Sequence, residues 1–242
     1  MPAHVLSDQK LWFAGYDLTG VMNALSVTDG VGLKEAPVLG NTAMRRLAGL
    51  RTVVAQHEGY FQADPEDAAL NANMGLVDVP MSFGPIDGAE GSLAYSFASA
   101  LGEYSPRGEI DEMFRFSLSA EGSAGEPLVR GLLGHNASRT SSANGTAYQL
   151  GAAAAGQKLY AALHVLTVSG TNPTLDVTIE SDDASGFASA VTRLTFGQAT
   201  AISSEWASPI AGPITDDWFR VVWAIGGTDT PTFEFVVVFG TQ

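Results

Sequence analysis

The chain has 242 residues, of which 45% are hydrophobic, so it is long enough to bury a substantial core. Asp and Glu outnumber Lys and Arg by 26 to 12, a net charge of −14 that argues against binding to a nucleic acid backbone. Cysteine is absent, which excludes disulfides, thiol catalysis and thiolate metal sites. Neither a signal peptide nor an apolar run long enough to span a membrane is expected.

The first half predicts strands and one helix. Asp64 is a suitable N-cap, Pro65 suits the first helical position, and the helix should end before Gly75. Pro80 predicts that its strand lies at a sheet edge or a bulge. Alternation of apolar and polar residues, with Phe114 facing inward, supports the last strand of this half. The predicted strands are 11–14, 21–28, 50–62, 76–83, 92–99 and 112–120.

The connection between the second and third predicted strands is unusually long. Antiparallel neighbours normally need about 2–5 connecting residues, whereas residues 29–46 are rich in Gly and Pro and carry several cations. We predict an irregular arm that is unordered until a neighbouring molecule binds it. The residues expected to contact that neighbour are Leu33, Pro37, Val38, Leu39, Arg45 and Arg46.

The second half repeats the pattern of short strands separated by turns. A segment rich in Gly and Glu at 121–127 predicts a boundary between domains 1–120 and 121–242. Turn-forming clusters lie at 169–173 and 226–231. The fold class is therefore mainly β, with antiparallel sandwich or barrel modules and one short flanking helix. The predicted strands are 128–136, 148–150, 158–168, 174–181, 190–196, 199–206, 218–225 and 232–239.

The sequence contains few candidates for chemistry. No histidine has metal-ligand spacing, and His57 and His164 lie in apolar strands, which favours buried imidazoles. No nucleophile elbow, P-loop or dinucleotide-binding glycine motif occurs. Glu180, Asp182 and Asp183 predict either a solvated turn or, less favoured, a Ca²⁺ site. We expect no enzyme activity and no cofactor.

Three tryptophans in the second half suggest an alternative function. Trp206, Trp218 and Trp223 would form a sugar-stacking surface if the chain were a carbohydrate-binding, adhesion-type β-sandwich. Trp218 and Trp223 are five residues apart and face opposite sides of a regular strand, so at least one of them should be in the core.

Several segments of the first half occur in a recognisable order and spacing: YDLTG at 16–20, ALS at 24–26, LGNT at 39–42, RLAGL at 46–50 and GYF at 59–61. Together they resemble the N-terminal part of the major tail (tail tube) proteins of long-tailed, siphovirus-type bacteriophages. The second half is similar to phage tail proteins through GQKLYAALH at 156–164, TLDVT at 174–178 and TDDWFR at 215–220, so the resemblance covers most of the chain. It implies a β-sandwich with a flanking helix, whose copies close into rings that stack as a tube.

The resemblance predicts a structural virion protein of the phage tail, made in the cytoplasm of the bacterial host. Its partners would be other copies of itself, in a ring of three or six, and other tail proteins at the tube ends. DNA would pass through the lumen without specific binding, and no membrane would be involved. The length suggests either one tube domain with an appended β-sandwich or two tandem tube-like modules; with two modules, three chains would form a ring.

Overall fold

A computed structural model describes residues 8–36, 43, 45–62 and 66–242. The expected fold class is confirmed: the described chain is mainly antiparallel β-structure with one short helix, α1, Glu66–Ala72. Asp64 and Pro65, the expected cap and first residue of that helix, lie outside the described residues. The strands of the first half are β1 Lys10–Phe13, β2 Tyr16–Asp17, β3 Met22–Glu35, β4 Arg46–Tyr60, β5 Val79–Gly84, β6 Leu93–Arg107 and β7 Arg115–Gly122.

The second half contains two very long strands and several short ones. The long strands, of 25 and 24 residues, each join two of the predicted strands. In chain order the strands are β8 Val129–Arg139, β9 Ala143–Asn144, β10 Tyr148–Gln149, β11 Lys158–Asp182, β12 Val191–Thr195, β13 Ser203–Trp206, β14 Ile210–Ala211 and β15 Trp218–Thr241.

Backbone hydrogen bonds connect the two halves into one sheet. Its main path has the order β12-β11-β15-β8-β6-β5-β1-β2, and β7, β4 and β3 continue from β6. The junction is β8, which pairs with β15 on one side and with the beginning of β6 on the other. Pairing therefore continues across the predicted boundary at 121–127, and the division into domains 1–120 and 121–242 stays a prediction.

The long strands β11 and β15 pair with each other and fold over together. Leu159 pairs with Thr241 at one end of this pairing, and Asp182 pairs with Trp218 at the other. Phe219 and Phe239 lie 20 residues apart, about 66 Å along a straight strand, yet their ring centroids are 6.4 Å apart. The strands must therefore bend, which they do at the predicted turns, where the pairing register shifts near Ser169 and Thr171.

The folded pair of strands encloses the larger hydrophobic core. Alternation in β11 places Leu175, Val177 and Ile179 in this core, as predicted, opposite Phe235 and other aromatic side chains of β15. This is the arrangement of a β-sandwich, in which two layers interdigitate their inward-facing side chains. A second core lies in the first half of the chain.

A third, smaller cluster joins the halves. Trp12 of β1 is buried against Leu133 of β8 and Val236 and Val238 of β15. The burial of a tryptophan at this junction indicates that the halves pack as one body.

Two details of the first half differ from the predictions. The strand containing Pro80 is internal, because β5 lies between β1 and β6. Proline is tolerated there because pairing with β1 begins only at Met81. Phe114 precedes β7 and is exposed, packing edge-on against Phe61.

Gly131 provides a test of the junction between β8 and β15. An added Cβ would lie 2.7 Å from the Phe239 carbonyl carbon and 2.9 Å from the Gly240 Cα, both backbone atoms that cannot rotate away. Gly131→Ala should lower the free energy of unfolding by about 3 kcal/mol, measured by urea denaturation. Gly186→Ala is the matched control, since no atom lies within 4 Å of its added Cβ. Equal stabilities for the two variants would contradict the close backbone packing of β8 against β15 at Gly131.

Candidate assembly surface

Strands β3 and β4 form a ribbon that extends beyond the rest of the sheet. Within the described residues β3 pairs with β4 alone, and β4 pairs with β7 only over Val54–Tyr60. Residues 29–35 and 46–53 therefore pair only with each other. The predicted irregular arm is thus wrong for residues 29–35, which are strand. Seven residues of strand extend about 23 Å.

The end of this ribbon, residues 31–35 and 45–50, which we call the ribbon tip, exposes apolar side chains. The exposed fraction is 61% for Leu33 and 87% for Leu50, and Val31 and Leu47 are exposed as well. A two-stranded ribbon is marginally stable in water, and it gains stability when such side chains are buried. Leu33 was a predicted contact residue, whereas Pro37, Val38 and Leu39 lie outside the described residues.

The charged side chains of the ribbon are partly paired within it. Arg51 donates to Asp29, with Nε 2.6 Å from Oδ1, and Arg46 lies 3.9 Å from Glu35 with both groups largely exposed. An exposed contact as long as 3.9 Å holds a side chain weakly, so Arg46 can exchange this partner for another. Arg45 and Arg46 are both exposed, and their contacts with a neighbouring molecule stay a prediction.

Sequence reasoning missed Leu47 and Leu50 as surface residues. The third strand was predicted to begin at residue 50, whereas β4 begins at Arg46. In the structure Leu33 pairs with Ala48, and Lys34 pairs with Leu47. Because these pairs join residues that are far apart in the sequence, neither segment alone contains a pattern that predicts them.

Three histidines are buried in the core, as the apolar strands predicted for His57 and His164. Burial lowers the pKa of His57 to about 4 and that of His164 to about 3. His164 Nε2 lies 2.9 Å from Ser82 Oγ, a polar contact between the two halves. Burial also lowers the pKa of His135 to about 4, although its Nδ1 lies 2.8 Å from the carboxylate of Glu90.

The acidic cluster lies at the end of β11, where Glu180 and Asp182 are still in the strand and Asp182 is buried. Only Asp183 is exposed in the bend that follows, so the predicted solvated turn holds for Asp183 alone. Asp182 accepts hydrogen bonds from the backbone N–H groups of Ser189 at 2.7 Å and Ala184 at 3.2 Å, while Glu180 accepts two from Arg220. The hydrogen bond between Asp182 and Asp183 is the main cause of the lowered pKa of Asp182 and of the raised pKa of Asp183. Across the described chain, no group of three or more His, Asp or Glu side chains has an arrangement suited to a metal ion.

The tryptophans do not form a common exposed surface. Trp223 is buried, as expected for at least one of the pair, and its Nε1 donates to the Ser141 carbonyl oxygen at 3.0 Å. Trp206 and Trp218 are partly buried on different strands. Among the described helices, none has both the length and the apolar character that crossing a membrane requires.

No family model matches the chain, and no curated protein sequence matches it. The chain has distant similarity in fold to solved structures. A tail of an empty gene transfer agent particle with C6 symmetry is 14% identical, with a TM-score of 0.40 over 50% of this chain and 96% of the other. The Dit protein of phage SPP1 is 8% identical, with a TM-score of 0.37 over 97% and 99%. A sheath–tube complex of an extracellular contractile injection system is 9% identical, with a TM-score of 0.42 over 54% and 92%.

Proposed function

We propose that this protein is a structural subunit of a phage tail whose copies close into rings and stack as a tail tube. The observation that carries the proposal is the ribbon tip. Among the described residues, its two strands pair only with each other, and they expose apolar side chains. Such a patch is typical of a segment that binds a neighbouring subunit. The resemblance of the sequence to tail tube proteins includes this same region.

The free edge of β3 supports lateral assembly. Its 14 residues pair on one side with β4, so their other backbone groups are available within the described structure. Ring closure between copies would pair such edges and remove a site of uncontrolled aggregation. Rings of three or six subunits both satisfy the proposal, with three favoured if residues 121–242 form a second tube-like module.

The net charge suits the passage of DNA. A surface with an excess of 14 negative charges repels the phosphate backbone, so DNA passing through a lumen of this protein would not adhere. In this role no catalysis and no cofactor are required. Pro37, Val38 and Leu39, together with Leu33, Arg45 and Arg46, are the residues proposed to contact the adjacent ring.

Negative-stain electron microscopy of the purified protein tests this proposal. We expect rings or hollow tubes, with more tube at higher protein concentration. A compact monomer at all concentrations that is retained on a polysaccharide column would contradict the proposal and would favour the carbohydrate-binding alternative. A protein pre-incubated with DNA should show no shift in DNA mobility on a native gel.

A further inference from the structure

The sheet that carries the ribbon has a second exposed end. Strand β4 has 15 residues and runs from Arg46 at the ribbon tip to Tyr60, about 46 Å away. Residues 108–114, which connect β6 to β7 and which we call the acceptor loop, lie at that far end. The backbone N–H of Phe61 donates to the Phe114 carbonyl oxygen at 3.0 Å, which attaches the loop to the end of β4.

The acceptor loop exposes apolar side chains, as the ribbon tip does. The exposed fraction is 94% for Ile110 and 64% for Met113, and Phe114 is also exposed. Two apolar patches at opposite ends of one sheet cannot contact each other within a single molecule. They can, however, meet between two copies placed one after the other along the strand direction.

The charges of the two ends have opposite signs. Glu109, Asp111 and Glu112 are exposed in the acceptor loop, and none has an ion pair with another described residue. Two cations flank the loop: Arg107 lies 3.0 Å from Glu58, and Arg115 lies 5.6 Å above the ring of Tyr60. Counted with Glu58 and the three acidic side chains of the loop, they leave this end with a net charge of −2 (four acidic and two basic groups).

The ribbon tip carries the complementary cations. Lys34 and Arg45 are exposed, and neither has an ion pair with another residue in the described part of the chain. Opposite charges around matched apolar patches steer association and fix its orientation. The acidic loop would repel a second acidic loop, which disfavours a symmetric contact of loop with loop.

We infer that the acceptor loop of one copy binds the ribbon tip of another, so that copies join head to tail along the strand direction. The inference rests on the proposed function for the existence of assembly, and it identifies the surface that receives the ribbon. Such a contact is heterologous, because two different patches meet, and it repeats without limit. It therefore supplies the axial growth of a stacked structure, while the edge of β3 remains free for lateral contacts.

Complementation between two variants tests the inference. The tip variant carries Leu33→Ser and Leu47→Ser, and the loop variant carries Ile110→Ser and Met113→Ser; all four side chains are exposed, so both should fold. Each variant alone should fail to elongate, because each has lost one of the two patches. When the two are mixed, the intact tip of the loop variant can bind the intact loop of the tip variant. No further unit can then be added at either end, so sedimentation velocity should show paired units and nothing longer.

Charge exchange provides an independent measurement. Lys34→Glu with Arg45→Glu should weaken axial association about tenfold at physiological salt, as should Glu109→Lys with Glu112→Lys. All four changes in one chain should restore association. Glu103→Lys is the matched control, since it reverses an exposed carboxylate of β6 away from the acceptor loop.

The outcomes separate this inference from the proposed function. If the loop variant forms rings and those rings still elongate, the inferred contact is wrong, whereas the proposed ring-forming function stands. If the wild-type protein forms linear chains without rings, and if those chains are absent in each variant and return as pairs on mixing, the inferred contact is supported. The proposal of a tail tube would then be wrong. Elongation by either variant alone at the wild-type level, or a mixture without paired units, would overturn the head-to-tail contact.

Discussion

Replacing residues 32–50 with an Asn-Gly turn should yield a folded subunit that no longer stacks. The replacement connects Val31 to Arg51 through Asn-Gly, a sequence that suits a two-residue hairpin between residues that already face each other across the ribbon. It keeps the Arg51–Asp29 ion pair and removes the exposed leucines. The side chains removed contribute little to the core, because they are exposed.

The two readouts of this variant should differ sharply. Axial elongation should disappear in electron microscopy, since every apolar side chain of the ribbon tip except Val31 is absent. The midpoint of thermal unfolding should stay within a few degrees of that of the tip variant, which also lacks axial stacking, because shortening a connection costs little entropy. Unfolding of the shortened protein would show that the ribbon supports the core, and persistent tubes would show that stacking uses another surface.

Acidification from pH 7 to pH 5 should destabilise the folded subunit by roughly 6 kcal/mol. Burial holds the pKa values of His57 and His135 at about 4 and that of His164 at about 3, below the ordinary value near 6.5 of an unfolded chain. The unfolded state therefore binds more protons in this window. Stability is fully present above about pH 6.5 and falls with pH, by roughly 2 kcal/mol per histidine at pH 5.

The measurement is the free energy of unfolding in urea at pH 7, 6 and 5. It is made on the shortened protein, which does not stack, at a dilution at which sedimentation velocity shows monomers, so that assembly does not shift the equilibrium. Carboxylates with lowered pKa values, such as Asp216, which accepts hydrogen bonds from Ser181 and Arg193, contribute to the loss of stability in acid only at lower pH. His57→Gln should reduce the pH dependence by about a third, whatever its effect on stability at pH 7. A free energy that does not change between pH 7 and pH 5 would contradict the burial of these imidazoles as neutral groups.

Local patterns predicted most of the strands, because alternation reports directly which side chains a sheet buries. Leu175, Val177 and Ile179 are an example, and the placement of His57 and His164 in the core followed from the same patterns. The bends at 169–173 and 226–231 were also recognised, through their turn residues. What local sequence does not contain is the identity of the partner strand, so the continuity of β11 and β15 through their bends was not predicted.

The same limit explains the arm. Gly30, Gly32 and the following proline favour irregular backbone, but pairing with β4 stabilises 29–35 as strand. The acceptor loop was missed for a different reason. Ile110 and Met113 are ordinary apolar residues in the sequence, and they become a candidate contact surface only when the sheet places them at the end opposite Leu33.

The folded pairing of β11 with β15 sets an order of events for the second half. Asp182 and Trp218, at one end, are 36 residues apart in sequence, and Leu159 and Thr241, at the other, are 82 apart (218 − 182 and 241 − 159). Closing the shorter segment loses less chain entropy, by about 0.7 kcal/mol, so pairing should begin there and proceed outward. Residues 169–174 then act as the hinge at which the growing pair turns back, and the sandwich closes only after that point is passed.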